Sequence, residues 1–177
     1  KTRRQRQMCI RDRPIGYQQT ISQPYIVARM TESLIEGDKM NEVPINHCLE
    51  IGTGCGYQTY ILSLFSKKVT SVERIEPLQD KAKETLKNLG VRNVTFKIDD
   101  GNNLGRLKYD AILSAAAPLS VPSTLKERLA VGGRLILPVG DSQRQVLTLI
   151  HRIDNDSYEE KRLEDVLFVP LLKGIVS

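Results

Sequence analysis

Three glycines at every second position, Gly52, Gly54 and Gly56, follow the run Leu49-Glu50-Ile51 and precede a helix-like segment. Such a run carries a strand to the edge of a sheet, and residues without a Cβ let the main chain turn tightly and approach a ligand. The chemistry this supports is the binding of a nucleoside-bearing cofactor. Dinucleotide enzymes space these glycines G-x-G-x-x-G; here the third comes one residue early and Glu50 precedes the first, which favours S-adenosylmethionine over NAD. Glu73 closes the next strand-like segment, 21 positions after Gly52. In a βαβ unit that separation brings a carboxylate to where it can accept hydrogen bonds from ribose hydroxyls. Two hydroxyls, Thr20 and Ser22, stand just before Gln23-Pro24, and on spacing alone Ser22 reads as a helix cap.

The elements that must position these groups follow from hydrophobic periodicity. A helix is expected from Tyr25 to about Ile35, a strand over Cys48–Ile51, a helix over Tyr57–Ser66 and a strand over Lys68–Val72. A helix over Leu78–Leu89 ends at Gly90, and strands follow at Val94–Ile98 and Tyr109–Ser114. A short helix over Pro122–Leu129 is stopped by Val131-Gly132-Gly133, and Arg134–Pro138 is the fifth strand. Repeated β-α units imply a parallel, doubly wound sheet. Gln145–Ile153 and Tyr158–Val169, with a turn at Asn155-Asp156 and no helix between, read as a terminal antiparallel hairpin. The expected fold is therefore α/β, Rossmann-like, with a mostly parallel seven-stranded sheet.

The 177 residues suit a single domain, spanning 14–177. The hydrophobic content of 40% and charged content of 27% are those of a soluble globular protein, without an apolar run long enough for a membrane span. Cys9, Cys48 and Cys55 have no metal-ligand or disulfide-framework spacing, so a reducing cytoplasm and no metal are expected. The net charge of +5 is carried wholly by residues 1–13, which hold six basic side chains and one acid. A formally neutral body argues against a nucleic-acid enzyme. The basic tract has no periodicity and reads as non-native or disordered. His47 and His151 lack ligand partners at useful spacing and read as structural.

The segments Gln19-Thr20-Ile21-Ser22-Gln23-Pro24-Tyr25, LEIGTGCGYQT (49–59), SVERIE (71–76), YDAILSAAAP (109–118), GGRLILPVG (132–140) and FVPLLKG (168–174) together resemble the protein-L-isoaspartate O-methyltransferases over 14–174. The resemblance implies methyl transfer from S-adenosylmethionine to the α-carboxylate of an isoaspartyl residue in a damaged peptide or protein, by a monomer. It implies that Ser22 is the active-site hydroxyl, orienting the carboxylate with Thr20 and backbone groups of Ile21. It places Glu50, Ile51, Gly52, Gly54 and Gly56 in the cofactor cradle, Glu73 on the ribose, and Asp100 with Gly101 at the adenine. Ala115–Pro118 would border the transferred methyl. Three features depart from the family: Gln18 stands where it has Gly in a loop that wants φ > 0, Asn102-Asn103 replaces a bulky aromatic, and the basic tract stands in place of a helical lead-in. The alternatives left open are a methyltransferase of RNA or a small molecule, and an inactive homologue lacking part of its substrate lid.

Overall fold

The computed structural model describes residues 13–35, 45–101 and 104–177. A two-stranded hairpin, β1 (Pro14–Gly16) and β2 (Gln19–Thr20), leads into helix α1 (Pro24–Ile35). Then come β3 (Ile45–Ile51), α2 (Tyr57–Phe65), β4 (Ser66–Glu73), α3 (Glu76–Asn88), β5 (Val94–Ile98) and β6 (Tyr109–Ser114). Helix α4 (Ser123–Glu127) precedes β7 (Leu129–Gly140), β8 (Gln145–Arg152) and β9 (Tyr158–Val166).

The seven-stranded sheet has the order β5-β4-β3-β6-β7-β8-β9. Its first five strands are parallel and its last two antiparallel, as the expected hairpin requires. Alternation along each strand feeds two cores. Cys48, Val69, Ala111, Leu113 and Ile136 face one side with Met30 and Leu34 of α1 and Leu62 of α2. Leu49, Val72, Ile112, Leu135 and Leu137 face the other, with Leu125 of α4. Consecutive residues of β3 and β6 are buried, Cys48–Ile51 and Ala111–Ser114, as in parallel strands covered on both faces. The exposed edge β9 carries Glu159, Glu160, Lys161 and Arg162 outward, and such charges blunt pairing with another chain.

Several boundaries differ from the periodicity. β3 begins at Ile45, β4 begins at Ser66 with no gap after α2, and the final strand ends at Val166. Val131-Gly132-Gly133 is not a stop but lies inside β7, where Gly132 has φ +81° and the register against β6 shifts. A Cβ on Gly133 would lie 2.9–3.1 Å from the carbonyl oxygens of Ala130, Asp110 and Tyr109, so the glycine lets β7 cross close to β6. The polar segment before α1 is the β1–β2 hairpin. Its turn holds Tyr17 at φ +53° and Gln18 at φ +58°, so the position that the family fills with Gly is left-handed here too.

Two expectations concern residues outside the described ones: the basic tract, apart from Arg13, and the Asn102-Asn103 replacement. His47 sits at the far end of the sheet from the strand carboxyl ends, with Nε2 2.9 Å from the Thr70 hydroxyl and its ring edge-on to Tyr109.

Candidate functional site

The order in which strands are added reverses between β3 and β6, which are parallel: β4 and β5 extend the sheet from one side of β3, and β6 and β7 from the other. Open α/β sheets bind ligands at such a switch point, outside the carboxyl ends of the strands. Here a cavity of about 1320 Å³ opens there. Its floor is the glycine loop, which hangs on β4: Val72 O accepts from Gly52 N at 2.8 Å and Thr53 N at 3.3 Å, and Glu73 Oε2 accepts from Gly54 N at 3.0 Å.

The glycines are needed where they stand. Gly52 and Gly54 have φ of +93° and +54°, and a Cβ on them would come within 3.3 Å of the Ala115 Cβ and the Ile15 Cδ1 respectively. Gly56, at φ +85°, turns the chain into α2, and a Cβ there would meet Leu86 and Ala82 of α3 at 3.2–3.3 Å. The loop thus exposes bare backbone on one side and packs tightly on the other.

Ile51, Gly52, Gly54, Glu73 and Asp100 all line this one cavity, and so do Thr20, Ile21 and Ser22 from the hairpin and the link to α1. Residues about thirty positions apart in sequence therefore share one wall. The hairpin lies over the loop through Ile15, and α1 after it is tied to β9 by Glu164, which receives the Tyr25 hydroxyl at 3.4 Å and faces Arg29 at 3.5 Å. The Ser22 hydroxyl makes no hydrogen bond to another described residue. The carbonyl of Gln23, not the Ser22 side chain, opens the α1 ladder by accepting from Val27 N at 2.9 Å. The capping interaction expected from spacing is not formed, and the hydroxyl is left at the cavity wall.

Three residues expected at the cofactor do not reach the cavity. Gly56 and Gly101 act on backbone shape: Gly101, at φ +83°, donates its N–H to Asp99 Oδ1 at 2.8 Å in the turn that brings Asp100 to the wall. Glu50 is wholly buried beneath the loop because its side chain leaves β3 on the face covered by α2. Its Oε2 accepts from Thr59 and Ser71, each at 2.6 Å, while Oε1 has no partner. Desolvation pushes its pKa up to about 8, with Glu73 adding to the rise and the two hydroxyls opposing it.

Glu73 is nearly buried too, and Oε1 accepts from the backbone N–H groups of Arg74 and Ile75 at 2.9 and 3.1 Å. Its Oε2 takes one amide, from Gly54, so that oxygen keeps a lone pair for a ligand hydroxyl. Asp100 Oδ2 accepts from Gly174 N at 2.8 Å, tying the 170–176 segment across this end of the cavity. Among the described lining residues five are acidic (Glu73, Asp99, Asp100, Glu164 and Asp165), against the single cation Arg74. A cavity of this sign attracts a cationic ligand. Sequence reasoning did not find Ile15, the Thr59–Glu50–Ser71 cluster or the Asp100–Gly174 link. The hydroxyl of Ser71, two residues before Glu73 and so on the same strand face, was the one signal available.

Bare-backbone glycines, a strand-end carboxylate with a spare lone pair and a net-negative cavity fit S-adenosylmethionine. Among the described residues no group of three or more His, Cys, Asp or Glu side chains could hold a metal. This fold and site define a Rossmann-like, S-adenosylmethionine-dependent methyltransferase. Solved structures agree: a protein-L-isoaspartate O-methyltransferase from Plasmodium falciparum in complex with S-adenosyl-L-homocysteine superposes with TM-score 0.77 at 26% identity, over 90% of this chain and 79% of that one. An rRNA methylase from Streptococcus thermophilus, at 18% identity and TM-score 0.52, shares the fold alone.

The chain belongs to the protein-L-isoaspartate(D-aspartate) O-methyltransferase family, whose model matches residues 4–175. It is 52% identical over 168 residues to the protein-L-isoaspartate O-methyltransferase of Saccharophagus degradans, and 48% identical over 165 residues to that of Alcanivorax borkumensis. Each match covers 92% of this chain and 72% of the relative. The chain spans 52% of the Burkholderia cenocepacia relative, to which it is 48% identical.

Proposed function

We propose that this chain transfers the methyl group of S-adenosylmethionine to the α-carboxylate of L-isoaspartyl residues in damaged proteins, giving an ester that collapses to a succinimide and partly returns to aspartyl. The observation that carries this reading is the shared cavity: Thr20–Ser22 and the glycine loop both line it, so a substrate group held by the hairpin segment meets a methyl donor held by the loop.

S-adenosylmethionine supplies a methyl group on a cationic sulfonium. Gly52 and Gly54 admit its backbone-contacting portion, the free lone pair of Glu73 Oε2 accepts from the ribose, and Asp100 accepts from the adenine amino group. Ser22 and Thr20 donate hydroxyl hydrogens to the substrate carboxylate, while the amide of Ile21 between them is spent on the Arg13 carbonyl at 3.1 Å. No general base is needed, because a carboxylate is already ionised at neutral pH. Rate enhancement then rests on alignment, and on the exclusion of water when the ligands fill the cavity. The acids around the wall favour the cation over the neutral product, which helps the spent cofactor to leave.

On this reading residues 14–177 lie in one methyltransferase domain, and the family match, which begins at residue 4, carries it into the basic tract. The neutral charge of that body supports protein rather than nucleic-acid substrates. No helix among the described residues is long and apolar enough to cross a membrane; we take the enzyme to be cytoplasmic and monomeric. A labelled-methyl assay offering an isoaspartyl peptide, an RNA and a small carboxylic acid in parallel tests the reading. Labelling of the isoaspartyl peptide alone supports it, and preferential labelling of either of the others refutes it.

A further inference from the structure

Beneath the glycine loop lies a buried chain of side-chain hydroxyls that ends on a carboxyl group. Each hydroxyl has one hydrogen to give. Ser71 Oγ donates it to Glu50 Oε2 at 2.6 Å, so the 2.6 Å contact between Thr53 and Ser71 has Thr53 as donor. Thr59 of α2 gives its hydrogen to the same oxygen of Glu50. The order is Thr53 to Ser71 to Glu50, and Thr53 is itself a residue of the loop, between Gly52 and Gly54.

Both donors converge on Oε2, and Oε1 is buried without a partner. A neutral carboxylic acid fits this asymmetry at the lower cost: its carbonyl oxygen takes the two hydrogen bonds, and what stays unpaired at Oε1 is an uncharged O–H. An ionised carboxylate would leave a charged oxygen unsatisfied in the core, at a far greater cost. The ionisable groups facing Glu50 are Cys48, two residues back on its own strand and held as a thiol by burial, and Glu73, at the end of β4. From α2 it meets only the Thr59 hydroxyl, and no cation contributes to its environment.

We propose that Glu50 is a positioning residue: held as a neutral acid, it fixes the methyl-donor loop from below through Ser71 and Thr53, and its ionisation releases that loop. This rests on the reading of the loop as the S-adenosylmethionine cradle and adds a pH response to it. With titration near 8, about nine-tenths of the protein at pH 9 carries the ionised form. Apparent affinity scales with the competent fraction, so a roughly tenfold weakening is expected there.

The test is the affinity for S-adenosylhomocysteine, measured by calorimetry from pH 6 to 9.5 on the full chain, for wild type, Glu50→Ala and Glu50→Gln. Wild type should weaken about tenfold between pH 7 and 9. Glu50→Ala should bind at least about tenfold more weakly at pH 7, and Glu50→Gln, whose amide carbonyl can receive both hydroxyls, should restore most of that loss and lack the alkaline weakening. Ionisation of the ligand is common to all three proteins and cancels in the comparison. A wild-type profile that tracks that of Glu50→Gln overturns the proposal, as does a Glu50→Gln protein that fails to fold or binds as weakly as Glu50→Ala. If wild type binds at no pH, the cradle reading itself falls, and this inference with it.

Discussion

Replacing Ser22 with Ala separates two roles that one hydroxyl can play. The Ser22 side chain has no partner among the described residues and lines the cavity, while the α1 ladder is opened by the Gln23 carbonyl. Removing the hydroxyl therefore costs the folded chain little, within about 0.5 kcal/mol. A hydrogen bond to a charged group is worth about 1.5–3 kcal/mol. If the hydroxyl is spent on a substrate carboxylate, kcat/KM for an isoaspartyl peptide should fall about 10- to 150-fold. Affinity for S-adenosylhomocysteine should stay within about twofold, because the cradle is built from a different segment. The assay is steady-state methyl transfer alongside calorimetric titration and thermal unfolding of the same preparation. A helix cap would behave differently: its loss costs about 1 kcal/mol, or about 2–4 °C in Tm at this chain length, with no selective effect on turnover. A lower Tm with kcat/KM unchanged, or parallel losses in turnover and cofactor affinity, would refute the assignment.

Glu73→Gln should weaken S-adenosylhomocysteine binding at least about tenfold and also lower Tm, since an amide NH2 must then face one of the N–H groups of Gly54, Arg74 and Ile75; an unchanged affinity would contradict the ribose role. Glu50 should lower stability as pH rises from about 4.5 towards 8, because the unfolded chain releases its proton near the ordinary value of 4.5 while the folded one holds it to about 8. Half-buried His47, its pKa lowered by that burial, acts in the opposite sense up to its ordinary 6.5 and does so equally in a Glu50 variant. Urea midpoints of wild type should therefore fall across that range relative to those of Glu50→Gln. Gln18→Gly should stabilise the chain by about 0.5–1 kcal/mol, the relief of a left-handed residue less the added freedom of glycine when unfolded; calorimetric unfolding checks the sign.

The parallel sheet was legible because its central strands are buried on both faces and carry short apolar runs, as in Ala111–Leu113. The hairpin that carries Thr20 was not, since strands of three and two residues are too short to show a period. β7 was cut short for a local reason: Gly132-Gly133 looks like punctuation, and only the crossing with β6 shows why glycine is needed inside the strand. Among the site residues, Gly52, Gly54 and Glu73 declared themselves by spacing within one βαβ unit. Glu50 was read with them, yet its side chain leaves the strand on the covered face, which depends on where α2 packs. The bond from Gly174 to Asp100 joins residues 74 positions apart, a separation that no local pattern encodes.

The most direct measurement places two peptides, identical except for an isoaspartyl or an aspartyl linkage at one position, in a single reaction with S-adenosylmethionine and follows both by mass spectrometry. The methyl ester should form on the isoaspartyl peptide, and aspartyl peptide should accumulate from it over repeated cycles. Equal methylation of the two peptides, or methylation of neither by a protein that binds S-adenosylhomocysteine, would contradict the account.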